Sequence, residues 1–224
     1  MSISFEALQK KKNEIETKVS AEFLLRVHRS VSWVARGQSL DGDEDLKFIC
    51  YWIAFNSAYA KQQGFEQQGI SDRHLHSEFF DKLNSLDKDQ RIYDTIWNEF
   101  AGKVRNLMAN KFIFKPFWAY MEGNISEEVM KDKFDSSNKH FLRAFERVET
   151  GLVLSIIFSR LYLLRNQLIH GGATHNSSKN REQVVTGSGL LGSLVPIFVD
   201  IMLDNPEEEW GDPYFPVVED EDQH

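Results

Sequence analysis

Cysteine is almost absent from this chain: Cys50 is the sole one. One thiol cannot close an intrachain disulfide, which fits a reducing compartment. Cys50 lies in an apolar run and reads as a small core residue rather than a nucleophile. No segment repeats with a period of roughly 20–50 residues, which excludes solenoids and propellers. No phosphate-binding Walker loop or dinucleotide fingerprint is present. The N-terminal MSISFEALQKKKNE lacks the apolar core of a signal peptide. The longest apolar run, Gly151–Leu164, is broken by Ser155, Ser159 and Arg160. It is shorter than the roughly 20 residues a bilayer needs and reads as a buried helix. These absences predict a cytoplasmic protein with no membrane partner.

Basic residues are missing from one end. Asp204 to His224 contains nine acids (Asp204, Glu207, Glu208, Glu209, Asp212, Glu219, Asp220, Glu221, Asp222) and no Lys or Arg. The whole chain carries 26 basic and 34 acidic side chains, a formal charge of −8. A charge of that sign argues against a nucleic-acid binder. Residues 1–203, however, hold 25 of the acids against all 26 bases, a net of +1. The body is neutral, and nucleic acid stays open as a partner.

What is present is ordinary for a globular chain: 224 residues, 42% hydrophobic and 27% charged. Disorder, collagen and low-complexity classes are excluded. The length predicts one domain with an appendage, namely a helical domain over 1–203 and an acidic tail over 204–224. Trp210, Pro213, Tyr214, Phe215 and Pro216 predict that the first part of the tail docks on the body. Its end, EDEDQH, reads as disordered.

The fold class predicted is all-α, a multi-helix bundle. Over 3–36 the apolar positions Leu8, Ile15, Val19, Phe23, Val27, Val31 and Val34 recur at helical intervals, and Gly37 is a stop signal. A helix over 43–63 carries Phe48, Trp52, Phe55 and Tyr59 on one face. Ser71 and Asp72 cap a helix through Leu86. Ile92, Ile96, Phe100, Val104 and Met108 stripe a helix over 88–109. Pro116 makes 112–123 an irregular link. Helices over about 126–147, 149–170 and 184–203 follow. Only 112–118 and 214–218 carry strand signals.

The informative segment is Arg160-Leu-Tyr-Leu-Leu-Arg165-Asn166-Gln-Leu-Ile-His170-Gly171-Gly172. An apolar helix ends in Arg, Asn and His, and the glycine pair stops it. Asn166 and His170 are neighbours one turn apart, with Tyr162 one turn above Asn166. Arg165 lies about 140° around the helix from His170, so within one straight helix their heads do not share a stripe. From the Arg, Asn and His counts, the three-residue pattern is expected by chance roughly 0.02 times in this chain; a motif match needs its structural context. A reading without function also exists, since Arg and His in a last turn oppose the helix dipole and cap carbonyls. A partial echo at Arg105-Asn106 ends in Asn110 and lacks the histidine.

Arg165-Asn166-x-x-x-His170 near the end of a long helix of an all-α domain resembles the motif of the HEPN superfamily (higher eukaryotes and prokaryotes nucleotide-binding). The stretches Tyr51-Trp-Ile-Ala-Phe-Asn56-Ser-Ala-Tyr59 and His170-Gly-Gly-Ala-Thr-His-Asn-Ser-Ser resemble its Apea-like group. The resemblance covers about 20–203. It implies a helical homodimer in which two motifs line a shared cleft, which would bring Arg and His together. It also implies a metal-independent endoribonuclease that needs no cofactor, with RNA as substrate and 2′,3′-cyclic phosphate ends as product. Toxin–antitoxin or anti-phage defence is the implied setting, with an antitoxin protein as a possible partner. Some members are non-catalytic, so the alternative is an interaction or RNA/nucleotide-binding module.

The residue types suit that chemistry. An imidazole can take a proton from a ribose 2′-OH or give one to the leaving 5′-oxygen. A guanidinium fork can hold a phosphate and stabilise its developing charge. The carboxamide of Asn166 can orient His170 or the phosphate. The catalytic set is therefore Arg165, Asn166 and His170, and the substrate-binding set is Tyr162, Asn176, Lys179 and Arg181. No carboxylate lies between Tyr162 and Ala173, so no metal cage is expected there.

Other candidates carry less. Asp72-x-His74-x-His76-x-Glu78 places its histidines two apart, on different helix faces. Gly187-Ser188 with Asp200 lacks the second acid of a nucleotidyltransferase, since Met202 stands there. Lys10-Lys11-Lys12 reads as a solvated face. Trp52, Phe55, Trp97, Phe117 and Trp118 read as core. The acidic tail could compete with phosphate for the cleft, so truncation after Leu203 would raise RNA affinity at low salt.

Overall fold

The computed structural model describes residues 3–60, 72–213 and 215. Among them the chain is all-α, as predicted. Ten helices follow in order: α1 (Phe5–Ile15), α2 (Ala21–Gln38), α3 (Glu44–Tyr59), α4 (Asp72–Leu86), α5 (Arg91–Tyr93), α6 (Ala101–Ala109), α7 (Lys115–Met121), α8 (Glu127–Glu146), α9 (Thr150–Ile169) and α10 (Arg181–Asp204). Side-chain caps start several of them. Ser4, Ser20, Asp43 and Ser126 each accept a backbone N–H in the first turn of the helix that follows, satisfying donors a helix start leaves orphaned.

The centre of the bundle is aromatic. Phe55 of α3, Phe80 of α4, Phe158 of α9 and Phe198 of α10 meet there, with ring centroids 4.4 Å apart for Phe55–Phe158 and 4.8 Å for Phe80–Phe158. Cys50 is buried among core residues, as expected. By length and composition alone, α9 and α10 could each cross a membrane. In the fold, 72% of the most apolar window of α10 is buried but only 39% of that of α9. The motif helix thus keeps an exposed flank.

Tyr51 of α3 is wedged between two glycines. A Cβ on Gly37 of α2 would lie 2.5 Å from its ring, and one on Gly192 of α10 would lie 2.9 Å away. This explains why Gly37 does not stop α2: it sits buried inside the helix, making room for a ring. Burial, with Glu44 and Cys50 nearby, pushes the Tyr51 phenol up to about 12.

Several boundaries differ from expectation. The helix predicted over 3–36 is two helices, because Val19 and Ser20 are extended and Ser20 recaps the chain. The helix predicted over 88–109 is interrupted. The Asp87 carboxylate accepts the Ile92 N–H at 2.8 Å, Gln90 takes a left-handed conformation, and Asp94–Glu99 forms a π-helical turn. The link predicted over 112–123, and the strand signal within it, prove to be a 3-10 turn and α7. Pro116 sits in the first turn of that helix, where no N–H is needed. Ser71, the side chains of His74 and His76, and most of 214–218 lie outside the described residues.

The predicted docking of the tail is seen in its first part. Trp210 is buried against Phe79, with the Lys82 ammonium 5.1 Å over its ring. Arg26 is fully buried and donates to four carbonyls: Ala58, Ala60, Gly211 and Asp212, at 2.8–2.9 Å. Burial brings its guanidinium down to about 10, with Asp212 opposing the shift. The first tail acids are already paired away from the motif. Asp204 meets Lys11 at 2.6 Å, and Glu208 meets Lys82 at 3.1 Å. These two are engaged with the body, while Glu219, Asp220, Glu221 and Asp222 lie outside the described residues, and truncation after Leu203 would delete Trp210 from the core. Lys11 and Lys12 also depart from the solvated face expected. Lys11 further binds Asp200 at 2.7 Å, while Lys12 is buried against His28.

Substituting Gly37→Ala or Gly192→Ala should destabilise the protein by about 1–3 kcal/mol through overpacking. Gly102 of α6 faces open space, so Gly102→Ala should instead stabilise by about 0.5–1 kcal/mol. Urea unfolding of the three variants checks both signs.

Candidate functional site

The motif occupies the C-terminal end of α9. His170 is the C-cap: its N–H closes on the Asn166 carbonyl at 3.0 Å, and its side chain is exposed. Gly171 follows at φ +70°, a conformation that favours glycine, and the Gly172 N–H reaches the Gln167 carbonyl at 2.7 Å. The glycine pair thus ends the helix as its sequence implies, leaving His170 at the tip.

Arg165 does not project independently. Its Nη1 donates to Asn166 Oδ1 at 2.9 Å. Asn166 shares a stripe with His170, so this bond draws the guanidinium part of the way towards the histidine side. It also means Asn166 holds the arginine in this state. The Arg165 Nε is buried with no hydrogen-bond partner, and no acid pairs with this side chain among the described residues. The enclosed Nε does not face solvent, so an anion would be met by the outer Nη atoms of this half-buried guanidinium. Tyr162, one turn back, is 40% exposed and its ring centroid lies 6.2 Å from that of Trp52.

The loop after the motif is tied to the start of α3. Arg181 Nη1 contacts both Asp45 carboxylate oxygens, at 3.1 and 3.0 Å. The Asn176 N–H donates to the same carboxylate at 2.7 Å, and His175 Nε2 lies 3.3 Å from Asp43. Of the substrate-binding residues predicted, Arg181 and Asn176 are therefore brought together to shape this loop. Lys179 is exposed. Asp43 accepts the Leu46 N–H, which holds its carboxyl below the ordinary range, with smaller help from His175. Burial opposes ionisation of the neighbouring Glu44, but hydrogen bonds from Ser188 and Lys47 outweigh it and lower that carboxyl.

Asp43, Asp45 and His175 place three potential ligand atoms within 4.8 Å of one another. The Arg181 guanidinium already neutralises Asp45, so the group is a loop anchor whose cation is a side chain.

Two tethers fix the other flank of α9. Gln167 Nε2 donates to the Phe112 carbonyl at 2.7 Å, while Asn180 Nδ2 donates to Gln167 Oε1 at 3.1 Å. Arg160 is only 3% exposed and its guanidinium sits 4.2 Å over Phe114. It donates to the Ile113 carbonyl at 3.4 Å and to Ser137 Oγ at 3.3 Å. Burial alone brings it down to about 10. Sequence reasoning missed the roles of Gln167, Arg160 and Asp45. The one signal available was an acidic first turn, Asp43-Glu44-Asp45, facing a loop that carries His175 and Arg181.

Comparison with protein-family models, curated proteins and solved structures returns no match to this chain.

Asp45→Ala should free the loop, costing about 1 kcal/mol and raising amide exchange at 174–178. Asp43, whose carboxyl is lowered in the fold, contributes stability above about pH 4 that is lost as pH falls further. Amide protection in the first turn of α3, corrected for intrinsic exchange, should therefore be lower at about pH 3 than at about pH 5.

Proposed function

We propose that this chain is a metal-independent endoribonuclease of the HEPN type, acting as a homodimer whose two α9 ends face one cleft. The observation that carries the reading is the half-buried Arg165 guanidinium, held by Asn166 and with no acid paired to it among the described residues, five residues before an exposed His170. The partly exposed flank of α9, with Tyr162 and Ile169 at the surface, supports dimerisation through this helix. From Thr150 to Arg181 the chain contains no acid at all, which favours a phosphate.

In this reading Arg165 binds the scissile phosphate and stabilises the charge that builds on its oxygens. His170 of one protomer takes the proton from the ribose 2′-OH, whose oxygen attacks phosphorus. The bond to the 5′-oxygen breaks, and the second protomer's imidazolium protonates that oxygen. The products are a 2′,3′-cyclic phosphate and a 5′-hydroxyl end. Asn166 orients Arg165. Tyr162 and Lys179 reach the RNA chain from the exposed rim, and Asn176 and Arg181 keep the loop shaped around it. Toxin–antitoxin or anti-phage defence in the cytoplasm, with an antitoxin as further partner, is the setting this activity would serve.

Purified protein should cleave RNA in the presence of EDTA. His170→Ala should lower the rate by about 10²-fold or more, as loss of a general acid–base group does. Arg165→Lys should also lower it, because a point charge does not replace a fork. Cyclic phosphate ends are checked by their resistance to ligation and sensitivity to acid. No cleavage of any RNA by a folded dimer would leave the binding-module reading.

A further inference from the structure

Trp118 does not occupy the core place its residue type predicts; it is 39% exposed, and Phe112 beside it is 44% exposed. Trp52, Phe55 and Phe117 are buried as expected, and Trp97 is half-buried. The Trp118 ring and the backbone of Phe112 are held in place. The Phe112 carbonyl accepts the Trp118 indole N–H at 2.8 Å and the Gln167 carboxamide at 2.7 Å, which uses both its lone pairs. The backbone bearing Phe112 is thus fixed to α9, and the polar atom of the indole is satisfied at its base. Gln167 follows Asn166 directly on α9, so the pair of rings lies along the motif helix on the flank that Gln167 tethers.

The charge around these rings is one-sided. Residues 100–121 contain Lys103, Arg105, Lys111 and Lys115 and no Asp or Glu. The Lys111 ammonium lies 5.6 Å from the Phe112 ring centroid and 5.4 Å from that of Phe117. This segment and residues 150–181, the acid-free stretch of α9 and its loop, are joined by Gln167 and Arg160. Neither segment contributes an acid of its own, in a chain of net charge −8. The acids around them include Asp43 and Asp45, which hold His175, Asn176 and Arg181, Glu122 one turn after Trp118, Glu182, which accepts from Asn106 at 3.5 Å, and Glu127, paired with Lys131 at 2.7 Å.

We propose that Phe112 and Trp118 form a stacking platform for unpaired bases, with Lys111 and Lys115 for the phosphates beside them, so that the site takes single-stranded RNA. The inference rests on the ribonuclease reading of the α9 end and names its substrate class. Every base has a π face that an exposed ring can cover without reading sequence. In a duplex those faces are hidden by neighbouring pairs, and the aromatics cannot reach them. A ring held by a hydrogen bond, as that of Trp118 is, loses little freedom when a base stacks on it.

The test measures binding by fluorescence anisotropy, using His170→Ala protein and labelled single-stranded and duplex RNA of equal length. Single strands should bind more tightly than duplex. Phe112→Ala and Trp118→Ala should each weaken single-strand binding roughly 5- to 100-fold. Phe112→Tyr and Trp118→Tyr should stay within about threefold of the parent, because stacking survives. Lys111→Ala should flatten the salt dependence by about 0.7 in log–log slope, the value for one phosphate contact on a single strand. Circular dichroism confirms that each variant is folded.

Unchanged single-strand affinity in folded alanine variants overturns the platform and leaves the ribonuclease reading untouched. Equal binding of duplex overturns it as well. Alanine variants that dissociate the dimer but keep their RNA affinity also overturn it, by showing that the rings form a protein interface. Weakened binding in these variants, with cleavage by wild type unaffected by His170→Ala, keeps the platform and sinks the proposed catalysis.

Discussion

The close approach of α3 to α2 and α10 governs the rest of the molecule. Tyr51 fits only because Gly37 and Gly192 lack side chains, and dense interiors transmit such constraints. With α3 held there, its acidic first turn lies beside the start of α10. Asp45 then meets Arg181, and Ser188 reaches Glu44. The loop that leaves the motif helix is thereby closed against α3. The geometry at the tip of α9 thus depends on ring-to-backbone packing deep in the bundle as well as on its own residues.

The second organising device is a buried arginine used as a backbone clamp. Arg26 and Arg160 are both almost wholly buried, and neither has a carboxylate within ion-pair distance among the described residues. Burying a charge is costly unless hydrogen bonds offset the loss of water. Arg26 answers with four carbonyls. Arg160 answers with a carbonyl, a hydroxyl and the face of Phe114. Each joins segments distant in sequence, and in both the planar fork reaches several acceptors at once.

Much of this was legible in the residues. Helical periodicity located α2, α3, α8, α9 and α10, and the glycine pair marked the end of α9. Trp210 announced that the tail would dock. The breaks were harder to see. Nothing in the apolar spacing across Val19 and Ser20 separates one helix from two, because the competing hydrogen bond, from the Phe23 N–H to the Ser20 hydroxyl, is local. Pro116 looked like a disruption, yet it sits at the one turn of a helix that tolerates it. At the site, residue types named Arg165, Asn166 and His170, but not which of them bond to each other. That Asn166 serves Arg165, and that Arg181 serves Asp45, are facts of tertiary distance. Exposure of Trp118 was equally invisible, since an aromatic in an apolar segment has the composition of a core residue.

The Arg26 clamp has a consequence for how the chain comes into being. Two of its acceptors lie 32 and 34 residues away and two lie 185 and 186 residues away. During synthesis, which proceeds from the N-terminus, the near pair is available long before the far pair. Until Gly211 and Asp212 emerge, the guanidinium at the heart of α2 has half its acceptors. The clamp is therefore completed only once the tail has closed over α2.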